Sequence, residues 1–351
     1  MTTPAPVYQL ALRDLYASLG AQFGAYAGWA LPLAYGGVVP EYEALRTRAA
    51  LFERSHRSRF LVTGTDALEV LRAAFAGHVD QLEEGHALRS VSLDEAGNID
   101  DLVLIARTGG IAWLVSGEPG RRAATLARLQ RAVLPDFDVR IDDRTETTCL
   151  LGLAGPAAAE LTREHLSEVL PLRADPLGCI AFQFHGFRGL AIRTSDVGED
   201  GFEFMLAPAV AQHLAETLHG AGAPFAGLQA LEIARVEAAI PAFEPDLSPG
   251  LSPAEADLDV LLDVPGGRDG RILAGLLFDR PGARTGDPLT VDGAPAGEVR
   301  SCLQSPALNA AIGLGIIESR HALPGRTVQA GDVAATVVAK PFYRRRASSN
   351  G

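Results

Sequence analysis

Two adjacent carboxylates stand at the entrance of an apolar strand in the segment Asn98-Ile99-Asp100-Asp101-Leu102-Val103-Leu104-Ile105. Aspartate is depleted from strands, and a charge that is buried without a partner is costly. Because successive strand residues point to opposite faces, we expect one carboxylate to face solvent and the other to point inward. The simpler alternative is that both close the hairpin turn at Asp94-Glu95-Ala96-Gly97, and the pair taken alone favours it.

Length and composition describe a folded chain with more than one core. The 351 residues are 47% hydrophobic and 21% charged, which predicts a globular protein with two or three cores. The net charge is −12, and Lys340 is the only lysine. An acidic chain without a basic run argues against non-specific binding to nucleic acid. Any anionic ligand must therefore be bound by a few placed arginines.

The cysteines and the N-terminus indicate a cytoplasmic protein. Cys149, Cys179 and Cys302 lie far apart without metal-type spacing, which indicates buried thiols in a reducing compartment. The segment Met1–Pro6 lacks a basic region leading into an apolar core, so no signal peptide is expected. No apolar run is long enough to span a bilayer.

The order of predicted elements indicates an α+β protein. Residues 1–245 contain two strand–helix halves, roughly 1–145 and 146–245, interleaved with hairpins, and the alternation is not the strict βαβ of a doubly wound sheet. Residues 246–270 are rich in Pro, Gly and Asp and predict a linker. Short strands broken by turn residues over 271–351 predict a small antiparallel barrel.

The first 75 residues carry four local predictions of secondary structure. An amphipathic helix is expected over 7–23 and an irregular aromatic loop over 24–35. One strand is expected to enter at Leu51 and continue through Phe60-Leu61-Val62. Asp66 is expected to cap the helix that follows, because its carboxylate can accept the free N–H groups of the first turn.

Three charged residues interrupt otherwise apolar elements. Asp101 opens a strand, Glu203 lies between Phe202 and Phe204 in another, and Arg235 lies in a helix three residues after Glu232. A strand carboxylate between aromatic residues is either on a solvated face or bound to a donor. Arg235 and Glu232 could form a surface pair of little value. A structural role is the simpler explanation of each residue alone.

Short motifs occur in a fixed order along most of the chain. They are Gly28-Trp29, Pro32, Tyr35, Arg46, Leu51-Phe52, Ser55-His56, Asp100-Asp101, Leu153, Gly155-Pro156, Gly198-Glu199-Asp200-Gly201-Phe202-Glu203, Gly227-Leu228, Arg235, Glu237, Ser305-Pro306, Pro324-Gly325 and Lys340-Pro341-Phe342-Tyr343. Taken together, these residues resemble a known family, the tetrahydrofolate-dependent aminomethyltransferases, or T-proteins, of the glycine cleavage system. The resemblance covers essentially the whole chain, and its most specific parts are the Gly-Glu-Asp-Gly-Phe-Glu run and the Asp-Asp strand entry.

The resemblance implies a three-domain, cloverleaf-like protein that binds folate in a central opening, with tetrahydrofolate as cosubstrate and a lipoyl carrier protein as possible partner. It implies that Asp101 lies beside the folate nitrogens that accept the one-carbon unit and that Glu203 binds the amino-pyrimidine edge of the pterin. Asp100 counts among the folate-binding residues, Arg235 would be a wall residue that balances the carboxylates, and Arg284 would meet the glutamyl carboxylate.

Physical chemistry makes the two acidic roles sensible. A carboxylate is a two-oxygen acceptor that matches the adjacent N–H donors of a pterin. An aspartate next to the reacting nitrogen can orient it, take its proton and stabilise positive charge.

The sequence also departs from the family pattern at positions that line the folate site there. Asp196 replaces a tyrosine, Gly117 an asparagine, Leu231 an arginine and Arg57 a methionine, and a Tyr-Gly pair is missing from residues 241–244. These departures suggest an altered substrate or weakened catalysis.

Three functions follow. The first is a tetrahydrofolate-dependent transferase of aminomethyl or methyl groups. The second is a folate-binding protein of the YgfZ type that assists iron–sulfur protein maintenance, although its Lys-Gly-Cys-Tyr segment is absent. The third is a tetrahydrofolate-dependent demethylase on the same fold.

Overall fold

The computed structural model describes residues 8–166, 177–247, 250–258, 262 and 270–345. The chain forms two compact units: the first contains Met1–Ser92, Asp101–Ser195 and Glu199–Leu231, and the second contains Leu93–Asp100, Asp196–Gly198 and Glu232–Gly351. The segment Met1–Pro6 and much of the predicted linker 246–270 lie outside the described residues. The predicted domain limits at 245 and 270 stay a prediction.

Helices and strands alternate along the described chain. The helices are α1 (Arg13–Ser18), α2 (Val38–Thr47), α3 (Ala67–Ala74), α4 (Arg122–Ala132), α5 (Ala158–His165), α6 (Pro208–Gly220) and α7 (Leu228–Glu237). The first strands are β1 (Gln22–Tyr26), β2 (Trp29–Ala34), β3 (Ala50–Glu53), β4 (Ser58–Thr63), β5 (Ala87–Leu93), β6 (Ile99–Gly109), β7 (Ala112–Gly117), β8 (Arg140–Asp143), β9 (Cys149–Ala154), β10 (Cys179–Phe184), β11 (Phe187–Thr194) and β12 (Gly201–Leu206).

Two five-stranded sheets form the frame of the first unit, in the orders β5-β6-β7-β4-β8 and β10-β11-β12-β9-β3. Each sheet has its own hydrophobic core, and a smaller cluster joins them, with Leu104 and Leu114 from one sheet and Cys179 and Ile192 from the other. The strand β9 is buried along its whole length, as expected for an apolar run between two neighbouring strands. The predicted α+β class is confirmed.

The residues predicted as one strand from Leu51 to Val62 form two strands in different sheets. β3 pairs with β9 and β4 pairs with β7, so the prediction of a continuous strand was wrong. Between them the chain turns at Arg54–Arg57, where the Arg57 amide donates to the Arg54 carbonyl at 3.0 Å. This turn contains no Gly or Pro, so sequence patterns gave no signal for it.

The aromatic segment 24–35 is also regular rather than irregular. β1 and β2 pair as an antiparallel hairpin, and its turn places Ala27 at φ 46° and Gly28 at φ 83°. Positive φ at both central residues is the geometry that tight hairpins favour. The helix predicted over 7–23 is only α1, since Gly20 takes φ 82° directly after it, a conformation that ends helices.

The helix α3 begins after Asp66 as predicted, but Asp66 does not cap it. Its Oδ2 atom instead accepts the amide of Asp138 at 2.8 Å. The helix prediction is therefore confirmed and the cap prediction was wrong, because the irregular segment before β8 supplies the donor.

The C-terminal strands close into an antiparallel barrel, as predicted. They are β13 (Arg271–Phe278), β14 (Pro288–Val291), β15 (Ala294–Ser305), β16 (Ala310–Glu318), β17 (Thr327–Ala330) and β18 (Val333–Val338). The order is β13-β16-β15-β14-β17-β18, and β13 also pairs with β18. Inward-facing Leu, Val and Ala residues fill the interior. Among the described residues, no helix combines the length and apolar character needed to cross a bilayer.

Candidate functional site

The Asp100–Asp101 pair divides between the two faces of β6. The Asp101 side chain is buried, with 1% of the residue exposed, whereas Asp100 is only partly buried. Both residues belong to the strand and not to the hairpin turn, so the turn alternative is wrong. The Asp101 Oδ2 atom accepts the Thr125 hydroxyl at 2.5 Å, and Oδ1 accepts the Glu118 amide at 3.2 Å.

Burial gives this carboxyl group an unusual proton affinity. Desolvation raises the pKa of Asp101 to about 7, against the opposing effect of the hydrogen bonds from Thr125 and Glu118. The Glu118 carboxylate raises this pKa further, and the Arg57 guanidinium lowers it. Asp101 can therefore exchange a proton near neutral pH, which an ordinary aspartate does not do.

A glycine makes room for the carboxyl group. A Cβ atom on Gly117, the last residue of β7, would lie 2.7 Å from Asp101 Oδ2 and 3.0 Å from Ser58 Oγ. Both distances are tighter than ordinary van der Waals contact. Residue 117, one of the departures from the family pattern, is therefore a glycine that leaves space for the Asp101 carboxyl group.

Glu203 is the second acidic residue of the site. It is 3% exposed, between the buried Phe202 and Phe204 of β12, and its Oε1 atom accepts Arg54 Nε at 2.9 Å. Of the two sequence-based alternatives, the paired donor is confirmed and the solvated face is wrong.

The turn Arg54–Arg57 connects the two acidic residues. Arg54, at its start, pairs with Glu203. Arg57, at its end, pairs with Glu118 at 2.9 Å, and Glu118 is the residue whose amide binds Asp101. The structure therefore brings Asp101 and Glu203 to opposite ends of the same turn, although they lie in different sheets of the first unit.

The same turn contains His56, which is 5% exposed. Burial lowers the pKa of His56 well below its usual value, and the arginines at 54, 57 and 59 lower it further. Its Nδ1 atom has no hydrogen-bond partner among the described residues. The imidazole is therefore neutral at physiological pH, and its Nδ1 atom is buried.

Two acidic residues of the Gly198–Glu203 run have structural partners. Glu199 pairs with Arg46 at 3.1 Å, and both side chains are buried. Asp200 accepts two hydrogen bonds from Arg193, at 2.7 and 2.5 Å. This run, which contributes most to the family resemblance, therefore serves mainly to hold β12 and its preceding turn.

Arg235 belongs to a separate cluster in the second unit. Its guanidinium pairs with Asp246 and with Glu232, the latter at 2.6 Å, and donates to Ser301 Oγ at 3.1 Å. Although burial lowers the pKa of Arg235, Asp246 and Glu232 outweigh it and raise the pKa above its usual value. The expectation of a surface pair with Glu232 alone was wrong, since Asp246 is 0% exposed.

The remaining predicted positions are distributed over both units. Arg284 is exposed on the loop before β14 and its backbone amide donates to Asp287. Leu231 is buried in α7. No group of three or more metal-binding side chains occurs in the described part of the chain.

Sequence reasoning did not find the residues that hold Asp101 and Glu203 in place. Arg54, Arg57, Glu118 and Thr125 were not among the candidates. The Ser55-His56 pair of the resemblance marked the turn but not its charged neighbours. Thr125 lies in a helix with no sequence feature that relates it to β6.

A buried carboxyl group with a pKa near neutrality, placed among other charged groups, is typical of an enzyme that transfers protons during its reaction. The fold and site therefore define an α+β enzyme with a C-terminal antiparallel barrel.

Comparison with known proteins gives the family. Residues 12–265 match the GCVT N-terminal domain, and residues 271–344 match the glycine cleavage T-protein C-terminal barrel domain. The chain is 33% identical to an aminomethyltransferase of Rubrobacter xylanophilus, over 95% of this chain and 94% of the relative. It is 30% identical to one of Saccharopolyspora erythraea, over 97% and 99%.

A solved structure agrees with these relatives. The crystal structure of glycine cleavage system aminomethyltransferase T from Bartonella henselae superposes with a TM-score of 0.88 at 27% identity, over 97% of this chain and 99% of that one. The chain belongs to the glycine cleavage T-protein family, and it is a transferase of the aminomethyltransferase type.

Proposed function

We propose that this protein transfers an aminomethyl group from a lipoyl carrier protein to tetrahydrofolate, with Asp101 as the acid–base group. The observation that carries the proposal is the buried Asp101 carboxyl group, whose pKa of about 7 lets it exchange a proton at neutral pH. Membership of the aminomethyltransferase family supports the choice of donor and acceptor.

Asp101 acts on the nitrogen that accepts the carbon unit. When bound, tetrahydrofolate supplies that nitrogen as the nucleophile. As the nitrogen bonds to the transferred carbon, the carbon–sulfur bond to the lipoyl group breaks and leaves a thiolate. In its ionised form Asp101 takes the proton that the attacking nitrogen loses, stabilises the positive charge that develops near it, and passes the proton on to the thiolate. Thr125 and the Glu118 amide hold the carboxyl oxygens, so this group is oriented before the substrate arrives.

Glu203 binds the pterin. Its ion pair with Arg54 uses Oε1, and a carboxylate offers a second oxygen to the adjacent N–H donors of an amino-pyrimidine edge. Glu203 is itself only 3% exposed, which strengthens such charge-assisted hydrogen bonds.

The other predicted site residues have supporting roles in this proposal. Asp100, on the opposite face of β6 from Asp101, acts on folate only through the strand that it shares with Asp101. Arg235, held by Asp246 and Glu232, keeps α7 in place rather than meeting the substrate. Arg284 is exposed and can meet the anionic glutamyl tail. We also propose a cytoplasmic setting, because Cys149, Cys179 and Cys302 are all free thiols.

The proposal is tested by binding and turnover measured together. Titration of tetrahydrofolate by calorimetry should give binding to the wild type and little change for Asp101→Asn. Glu203→Gln should lose at least about tenfold in affinity, because a hydrogen bond to a charged group is worth roughly 1.5–3 kcal/mol. Transfer from an aminomethylated lipoyl carrier should fall more than about tenfold in Asp101→Asn. Asp292→Asn, an exposed barrel residue, is the matched control.

Two results would contradict the proposal. Absence of tetrahydrofolate binding by the wild type would remove it altogether. Binding without transfer from the lipoyl carrier would favour a demethylase or a non-catalytic folate-binding protein. The demethylase has a specific observation in its favour, since Arg57 and Gly117 change the immediate surroundings of Asp101 relative to the family pattern. Turnover with methylated sulfur or oxygen donors distinguishes these two.

A further inference from the structure

The ion pair between Arg57 and Glu118 lies beside the Asp101 carboxyl group and has no part in the function proposed above. Arg57 Nη1 and Glu118 Oε1 are 2.9 Å apart, and only 13% and 14% of the two side chains is exposed. Isolated surface pairs contribute little, but this one is largely enclosed and both of its charges act on Asp101.

Hydrogen bonds hold the backbone of Arg57 in the turn. Its amide donates to the Arg54 carbonyl at 3.0 Å, and its carbonyl accepts Arg59 Nη1 at 2.6 Å. Arg59 itself is fully buried. The guanidinium of Arg57 therefore extends from a backbone that is held on both sides.

Glu118 begins the segment that supplies both hydrogen bonds to Asp101. Its own amide donates to Oδ1, and Thr125, in the helix that follows, donates to Oδ2. The Arg121 amide donates to the Glu118 carbonyl at 3.1 Å, which joins Glu118 to the start of that helix. A contact that fixes the Glu118 side chain thus also fixes the donors around Asp101.

We propose that the Arg57–Glu118 pair is a positioning device that holds the Asp101 carboxyl group against Thr125 and sets the pH at which this group exchanges its proton. The consequence for transfer rests on the proposed function, but the titration of Asp101 does not. The two residues act through Asp101 and are positioning residues.

The charges around Asp101 make the proposal specific. Thr125 from α4, Ser58 from β4 and Gly117 from β7 carry no charge, whereas Glu118 and Arg57 are charged and act on the pKa of Asp101 in opposite directions. Arg57 favours the ionised carboxylate and Glu118 disfavours it. Removing either residue leaves the charge of the other uncompensated. The two removals must therefore shift the pKa of Asp101 in opposite directions.

The test is a direct titration of Asp101 in the full-length protein by NMR of ¹³C-labelled aspartate, with the resonance assigned by its absence in Asp101→Asn. Glu118→Gln should lower the pH of half-protonation, and Arg57→Met should raise it, each by about one pH unit, the low end for a charge close to a carboxylate. The acid limb of the pH–rate profile for transfer should move in the same directions.

A purely structural ion pair gives a different result, because both single variants break the same contact. Shifts in one common direction, or no shift in either variant, overturn the proposal. Arg57→Lys keeps the charge and should keep the wild-type titration, so it decides the matter if Arg57→Met does not fold. Arg140→Gln removes an exposed arginine of the same sheet and should leave Asp101 unchanged. Loss of transfer activity alone bears on the proposed function, not on this titration.

Discussion

Residue 117 is a glycine, and the Asp101 carboxyl group that faces it leaves no space for a Cβ atom. An added methyl group would lie 2.7 Å from Asp101 Oδ2, and the carboxyl group is held on its other side by Thr125. Because both neighbours are buried, neither can move away into solvent. This close approach leaves no room for a side chain at residue 117 in this chain.

We therefore expect Gly117→Ala to push Asp101 away from Thr125 and to destabilise the first unit by about 1–3 kcal/mol, the usual range for overpacking. Chemical denaturation measures the free energy of unfolding, and the Asp101 titration reports the displacement. Gly120→Ala lies in the same loop with no atom within 4 Å of the added carbon, so it should change neither quantity. Equal stability of the two variants would mean that the site accommodates a methyl group.

At the scale of elements, the turn between β3 and β4 is held by one buried arginine. Arg59 donates to the carbonyls of Ser55 and Arg57 on one side and to those of Thr145 and Thr148 on the other. Burial lowers the pKa of Arg59 to about 10, so it remains charged at physiological pH. This side chain joins the turn to the segment between β8 and β9.

Replacing Arg59 with Met should leave two buried and two partly buried carbonyl groups without their donor. The expected loss of stability is about 3–5 kcal/mol, as for breaking other buried charged networks. Because the turn also carries Arg54 and Arg57, folate affinity should fall in the same variant even where it remains folded. Thermal unfolding and calorimetric titration measure the two effects. Arg163→Met, at an exposed helix position, is the control, and an equally stable Arg59→Met protein would contradict this role.

The same turn shows how far the sequence alone could lead. Alternation along β6 was enough to predict that Asp101 faces inward, since period-two patterning is local. The turn Arg54–Arg57 was not predictable, because its geometry depends on Arg59 and on residues near Thr145, almost ninety positions away. Likewise, the Asp66 carboxylate was expected to cap a helix but accepts the Asp138 amide instead. Local patterns identified elements and candidate residues, whereas the partners that position those residues come from tertiary contacts.

For the whole molecule, the cost of burying Asp101 should appear as a dependence of stability on pH. The pKa of Asp101 is about 7 in the folded state and close to 3.9 in an unfolded chain. When the pKa of a group is raised in the folded state, protonation of that group makes the folded state more stable at low pH than at high pH. This contribution to the free energy of unfolding is lost as pH rises from about 4 through 7. A difference of about three pKa units corresponds to roughly 4 kcal/mol.

We expect Asp101→Asn to remove this dependence, because a neutral amide has no proton to lose and resembles the protonated acid in shape. At pH 8 the variant should unfold at a temperature several degrees above the wild type, since about 1 kcal/mol corresponds to roughly 2–4 °C for a unit of this size. At pH 5 the difference should be smaller, because the wild-type carboxyl group is then largely protonated in the folded state. Scanning calorimetry at both pH values measures the two differences, with Asp292→Asn as the matched exposed control. A constant difference between pH 5 and pH 8 would show that Asp101 does not titrate in this range, and the acid–base role proposed for it would then have no physical basis.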